Sequence, residues 1–204
     1  MIIESRQRLS AQCDDVEIRI DDQIIKNWVD HTKSLGLTID SQLSWGKHVE
    51  QICKKVSSAI GALKRVRPFI SKETAIQIYN ALIRPHFDYY SPVWDCLSGY
   101  LSDKLQKLQN RAARGITKSP FDTSSNHLLS TLSWERLSLR RKKQKALMMY
   151  KTFMYDLAPE YLQSLFSQRH SAYNLRDSEG RLTLSKPSTK MLHPLSILSE
   201  ISRR

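Results

Sequence analysis

Two patterns in this 204-residue chain have the residue types and spacing for chemistry. The first is a carboxylate pair, Asp14-Asp15, directly after Cys13. Adjacent carboxylates on a hairpin turn can hold two metal ions for phosphoryl transfer. Here the pair follows a polar stretch, residues 6–12, instead of the apolar strand such a turn needs. No separate strand supplies a third carboxylate, so a plain acidic loop is the favoured reading and no catalytic residue is assigned. The second pattern is cationic. Lys104, Lys107, Arg111, Arg114 and Lys118 recur at gaps of three, four, three and four, which puts them on one face of a helix. Like charges in that register repel one another, a cost that a polyanion would relieve. A merely solvated face is the bland alternative. A membrane-surface helix fits less well, because the neighbouring apolar stripe lacks large aromatics.

A third cluster, Arg140-Arg141-Lys142-Lys143, is four consecutive cations. On a helix such a run points in several directions. A phosphate contact, a nuclear-localisation patch and plain solvated charge all stay open for it. There is no P-loop, no GxSxG and no HExxH. Cys13, Cys53 and Cys96 are odd in number and far apart, and the six His are dispersed, so no structural zinc site and no cofactor is expected. The cysteine usage fits a reducing compartment, intracellular and either nuclear or cytoplasmic. No apolar run approaches a membrane span, so no membrane partner is expected.

The net charge of +12 is unevenly spread. Residues 1–40 carry five Lys/Arg against eight Asp/Glu, residues 41–155 twenty against seven, and residues 156–204 seven against five. The basicity therefore belongs to the middle of the chain, and a field of that sign favours nucleic acid.

The elements that must position these residues divide in two. Residues 1–40 read as strands and turns. Val16–Ile20 alternates with period two, residues 23–25 return as a hairpin arm, and Leu35–Ile39 reads as a third strand. So few strands leave open edges, which suggests a larger sheet supplied from elsewhere or self-association through those edges. After Asp40 the period becomes helical. Ser44 is the expected cap of a helix with Val49, Ile52, Val56, Ile60 and Leu63 on one face, ended by Arg67-Pro68. Ser71 caps a second helix with Ala75, Ile78, Tyr79 and Leu82 inward. Pro85 and Pro92 should break the chain over 84–94, where Phe87, Tyr89, Tyr90 and Trp94 read mainly as interhelical packing. A third helix spans about 102–117, with Leu101, Leu105, Leu108, Ala112 and Ile116 beside the basic stripe. A linker with a short helix at 127–132 follows. Ser133 is the expected cap of a fourth helix with Leu139, Ala146, Tyr150 and Phe153 as its apolar line. A short helix through 166, a hairpin near 174–184 and an irregular end complete the reading. The fold class is mainly α, a helical bundle with a small N-terminal β segment.

Taken in order, several segments resemble the region after the catalytic core of non-LTR (LINE-type, jockey-like) retrotransposon reverse transcriptases. They are Lys33–Asp40, Leu43-Ser44-Trp45, Ile60–Phe69, Ile78–Leu82, Pro85–Tyr89, Val93-Trp94, Leu105–Arg114, Leu157–Leu162 and Asn174–Asp177. The likeness covers about residues 1–190. It implies a residual palm segment over 1–40 and a thumb-like helical domain over 41–118. A C-terminal helical extension would fill 119–168 and an irregular tail 169–204. Leu35 and Gly36 would lie near a primer grip. RNA, DNA or an RNA–DNA hybrid would be the partner, held through the basic helices. The family's full-length members are RNA-directed DNA polymerases that use Mg2+. Their aromatic-x-Asp-Asp motif is missing from this sequence, so the expectation is a truncated copy that binds nucleic acid without catalysis. A helical protein-interaction module, or a remnant with no function, is the alternative.

Overall fold

A computed structural model describes residues 31–154 throughout, and outside that run residues 1, 3, 18–20, 23–25, 29–30, 159–160, 167–168 and 182–183. The described chain is a mainly helical bundle with small antiparallel ladders. β1 (Ile18–Ile20) pairs with β2 (Gln23–Ile25), and β3 (His31–Ser34) pairs with β4 (Leu37–Asp40). Seven helices are described: α1 (Gly46–Val66), α2 (Lys72–Leu82), α3 (Arg84–Asp88), α4 (Ser91–Trp94), α5 (Gly99–Thr117), α6 (Ser125–Thr131) and α7 (Leu137–Met154). A two-residue ladder, β5 (Ser167–Gln168) with β6 (Leu182–Thr183), follows. The chain forms two compact units. One holds residues 1–87 and 97–132, the other residues 88–96 and 133–204.

In the first unit α1 packs most extensively on α5. All five expected inward residues of α1 are buried, together with His48. From α5 come Leu105, Ala112, Ala113 and Ile116, also buried. Each fully buried Val, Leu or Ile among them contributes about 1.5–3 kcal/mol. At Arg67-Pro68 α1 gives way to a short 3-10 turn, Arg67–Phe69, as the proline requires. The Arg67 side chain then ties that turn to α5, its Nε donating to the Ile116 carbonyl at 2.8 Å.

Three local expectations need correction. Leu35-Gly36 is not strand. It is the two-residue turn between β3 and β4, with φ of 47° and 81°. Two consecutive positive φ values give the type I′ geometry whose twist suits a hairpin, and glycine meets that demand at its second position. Trp45, not Ser44, occupies the cap position of α1, in the left-handed region (φ 62°) after Leu43 with φ 53°, and the Ser44 hydroxyl only accepts a long bond from the Gly46 N–H (3.4 Å). Such values are uncommon away from glycine and need outside support. Asp40 supplies it: its carboxylate accepts from the backbone N–H of Gln42 (3.1 Å), Ser44 (2.9 Å) and Trp45 (2.8 Å). The Trp45 indole is buried edge-on to His48. In α2, Leu82 points outward, and Ile83 beyond its end is buried instead. Pro85 and Pro92 do split 84–94 into α3 and α4, each proline lying in a first helical turn where no hydrogen bond is lost.

The β3–β4 hairpin docks on α1 through Thr38. Its N–H donates to His48 Nδ1 at 3.3 Å, and its hydroxyl donates to Gln51 Oε1 at 2.9 Å. A ring nitrogen that accepts requires a neutral imidazole. Burial, reinforced by Lys55, holds the His48 pKa below its ordinary value; His86 is lowered by the same two causes.

Two predictions follow from this joint. Asp40→Ala should lower stability in urea by about 2–4 kcal/mol, because three backbone N–H groups lose a charged acceptor. An Ala variant within about 0.5 kcal/mol of wild type would contradict that role. His48 makes stability depend on pH. As pH falls below about 6.5 the unfolded chain takes up a proton that the folded chain refuses, so stability falls with acidification. The urea midpoint should therefore drop between pH 7.5 and 5.5. It should drop less in His48→Asn, which keeps an acceptor and binds no proton. Equal drops would refute the assignment.

Candidate nucleic-acid interface

α5 is set by Ser98, whose hydroxyl accepts from the Leu101 N–H at its start, and by Lys118, which closes it in the left-handed conformation (φ 54°). Its buried residues lie on one side, and the five cations lie on the other. Lys107, Arg111 and Lys118 are exposed, whereas Lys104 and Arg114 are half-buried at the flanks. These three exposed cations make no ion pair with any described residue.

Lys104 faces α1, where its charge acts on both Glu50 and Cys53. Glu50 is held below the ordinary carboxylate range, first by its hydrogen bond with Lys54 and then by the charges of Lys54, Lys47 and, more weakly, Lys104. Burial pushes the Cys53 thiol up despite Lys104. Further along, a Cβ on Gly115 would meet the Lys64 stem at 3.4 Å, so Lys64 lies across α5 where that glycine leaves room. The basic surface is thus shared by two helices. Lys47 and Lys54 of α1 flank Glu50 together with Lys104 of α5, and Lys64 crosses α5 at Gly115. Sequence reasoning missed the α1 cations, because they are irregularly spaced on their own helix. Only the packing of α1 on α5 makes them neighbours.

Arg114 has a different task. Its guanidinium donates to the Thr123 carbonyl (3.3 Å) and sits 5.3 Å from the Phe121 ring centroid. It braces the 118–123 loop.

The run 140–143 lies in the second unit, where α7 packs against α4. Arg140 makes a two-point pair with Asp88, Nε to Oδ1 at 2.5 Å and a terminal nitrogen to Oδ2 at 2.7 Å. Arg141, only 4% exposed, pairs with Asp95 at 2.5 Å and lies over the buried Trp94 ring. Lys145 reaches the other Asp95 oxygen at 2.6 Å. Gln144 accepts from the Ser91 hydroxyl, and Lys143 pairs with Glu135. Lys142 is exposed. α7 therefore turns Arg140, Arg141 and Lys145 inward, while Leu139, Leu147, Met148 and Tyr150 are exposed. Of the expected apolar line, Leu139 and Tyr150 are therefore exposed and Ala146 is half-buried, while Phe153 lies outside the residues whose side chains are described. The helix also starts at Leu137, not after Ser133, which has a positive φ of 53°.

Leu35 and Gly36 form the hairpin tip, with Leu35 75% exposed. Asp14-Asp15 lies outside the described residues, as do the expected helix through 166 and most of the hairpin near 174–184. Among the described residues no group of three or more His, Cys, Asp or Glu could hold a metal ion. No described helix is long and apolar enough to cross a membrane.

With this geometry established, one comparison is informative. The chain is 27% identical over 88 residues to a probable RNA-directed DNA polymerase from transposon X-element of Drosophila melanogaster. The match covers 42% of this chain and 10% of that relative, so the chain corresponds to a small part of it. The chain is thus distantly similar to a reverse-transcriptase protein. No protein-family model matches it. No solved structure matches it either.

The ion-pair cluster gives a prediction. Asp95→Ala leaves Arg141 and Lys145 enclosed without their carboxylate and should cost about 3–5 kcal/mol in urea unfolding. The exposed Asp103→Ala should stay within about 0.5 kcal/mol. Similar small effects for both would show that the Asp95 pairs contribute nothing.

Proposed function

We propose that this chain holds a template–primer duplex, acting as the thumb-like, post-catalytic part of a non-LTR, jockey-like reverse transcriptase. The α1–α5 face grips the phosphate backbone through Lys104, Lys107, Arg111 and Lys118, joined by Lys47, by Lys64 and by Lys54, whose exposed surface pair with Glu50 (3.1 Å) is weak enough for a phosphate to displace. The carrying observation is that face itself: a line of cations on α5, three of them exposed and free of ion pairs with described residues, beside lysines of the packed α1. Similarity to a protein named as an RNA-directed DNA polymerase supports the same reading.

Such a grip is sequence-tolerant, because phosphate contacts position a duplex without reading bases. Arg114 contributes by fixing the adjacent loop. Arg140 and Arg141 are left out of the interface, since Asp88 and Asp95 occupy them. Leu35 and Gly36 stand as a primer-grip proposal on the resemblance alone. A second reading has its own observation. The exposed Leu139, Leu147, Met148 and Tyr150 of α7 favour a protein-interaction role for the second unit.

The experiment is fluorescence anisotropy with an RNA–DNA hybrid across a salt series. Wild type should bind with an affinity that falls log-linearly with salt. The Lys107→Ala/Arg111→Ala/Lys118→Ala triple variant should bind every sequence more weakly, with a slope smaller by about 2.7 if each cation neutralises one phosphate. An unchanged slope, or no binding at low salt, would refute the proposal. A dimer by light scattering with no nucleic-acid affinity would favour the second reading.

A further inference from the structure

Phe121 is 90% exposed, the most exposed of the large hydrophobic side chains described. A lone surface phenylalanine is ordinary, but this one is held in place. Thr123 N–H donates to the Pro120 carbonyl (3.3 Å), closing a turn with Phe121 at its outer corner. Arg114 clamps that turn through the Thr123 carbonyl and sits 5.3 Å from the Phe121 ring centroid. Ser119 donates to Thr117 Oγ1 (2.7 Å), which in turn donates to the Ala113 carbonyl (3.0 Å). The ring is therefore pre-organised and presented to solvent at the C-terminal end of the α5 basic stripe, three residues after Lys118. Asp122, its neighbour, is the one carboxylate in the 118–123 loop. A second exposed ring lies at the same end of the helix. Phe69, 87% exposed, closes the 3-10 turn that Arg67 ties to the Ile116 carbonyl.

We infer that Phe121 is a stacking platform for an unpaired nucleobase, at the point where a strand leaves the duplex lying along the basic face. This rests on the reading of that face as a nucleic-acid grip and adds a substrate class to it: a duplex with a single-stranded overhang. The chemistry is general. Cations follow the phosphates, and an exposed ring takes the face of any base that is free of its partner. A paired, stacked base has no free face, so a blunt duplex does not use the ring. Arg114 beside the ring and the exposed Lys118 outweigh the single Asp122 carboxylate, and this balance favours a nucleic-acid strand over an apolar protein pocket as the occupant.

The test uses the full chain and two probes of equal duplex length, one blunt and one with a short overhang carrying 2-aminopurine at its first unpaired position. Wild type should bind the overhang probe more tightly than the blunt one and change the 2-aminopurine emission. Phe121→Ala should lose about tenfold on the overhang probe, abolish the emission change, and leave blunt-duplex affinity and both salt slopes unaltered. Phe121→Trp should restore the overhang preference. Loss on neither probe, or equal loss on both, would overturn the platform while leaving the basic-face reading intact. Absence of salt-dependent binding to the blunt duplex by wild type would instead overturn the reading beneath it. If Phe121→Ala changed association with itself by light scattering but not nucleic-acid binding, the ring would serve a protein contact and the inference would fail.

Discussion

The packing of α1 on α5 is the constraint on which the first unit depends. Val49, Ile52, Val56, Ile60 and Leu63 are buried on one helix, and Leu105, Ala112 and Ile116 on the other. Once those stripes meet, the remaining surface of each helix has no freedom. The α5 cations must face outward, because their positions alternate with the buried ones at helical spacing. At one end Lys47 and Lys54 of α1 flank Glu50 together with Lys104. At Gly115 the missing side chain makes room for the Lys64 stem, so the two helices share one charged surface. Hydrophobic burial thus offsets the repulsion among these cations, and the residual electrostatic strain is what a phosphate backbone would relieve.

Charge is handled in the opposite way in the second unit. Arg140, Arg141 and Lys145 of α7 turn toward Asp88 and Asp95, and the Asp95 pairs are largely desolvated. Pairs of this kind contribute little net stability against an apolar replacement, yet are costly to break. Their value is in orientation. The two-point Arg140–Asp88 pair and the Arg141–Trp94 contact fix which face of α7 meets α4, and that choice leaves Leu139, Leu147, Met148 and Tyr150 outside. Two runs of basic residues that look alike in composition therefore have different physical roles. On α5 Lys107, Arg111 and Lys118 face solvent without ion pairs to described residues, whereas in the 140–143 run Arg140 and Arg141 are held by carboxylates and Lys142 and Lys143 stay exposed.

The sequence made the helical spacing visible wherever apolar residues alone decide the buried face, as in α1 and α5. It failed where a polar side chain decides. The Trp45 cap is stabilised by the Asp40 carboxylate, five residues away, and no propensity favours tryptophan or leucine at positive φ. The inward face of α7 is chosen by carboxylates 46 and 52 residues earlier in the chain, beyond the reach of any local pattern. The five-residue basic stripe was legible because it lies on one helix. Its extension onto α1 was not, because it exists only once two helices are packed. Phe121 carried no sequence signal. Its significance comes from the Arg114 clamp and from its exposure at the end of α5.

The central claim is that the α1–α5 surface, and not the α7 run, meets the phosphate backbone. Lysine-acylation footprinting by mass spectrometry tests it most directly, at low salt, with and without an RNA–DNA hybrid. The account predicts that the hybrid protects Lys54, Lys64, Lys104, Lys107 and Lys118 and leaves Lys142 and Lys151 as reactive as before. Protection of Lys142 and Lys151 with the α1–α5 lysines unchanged would contradict it.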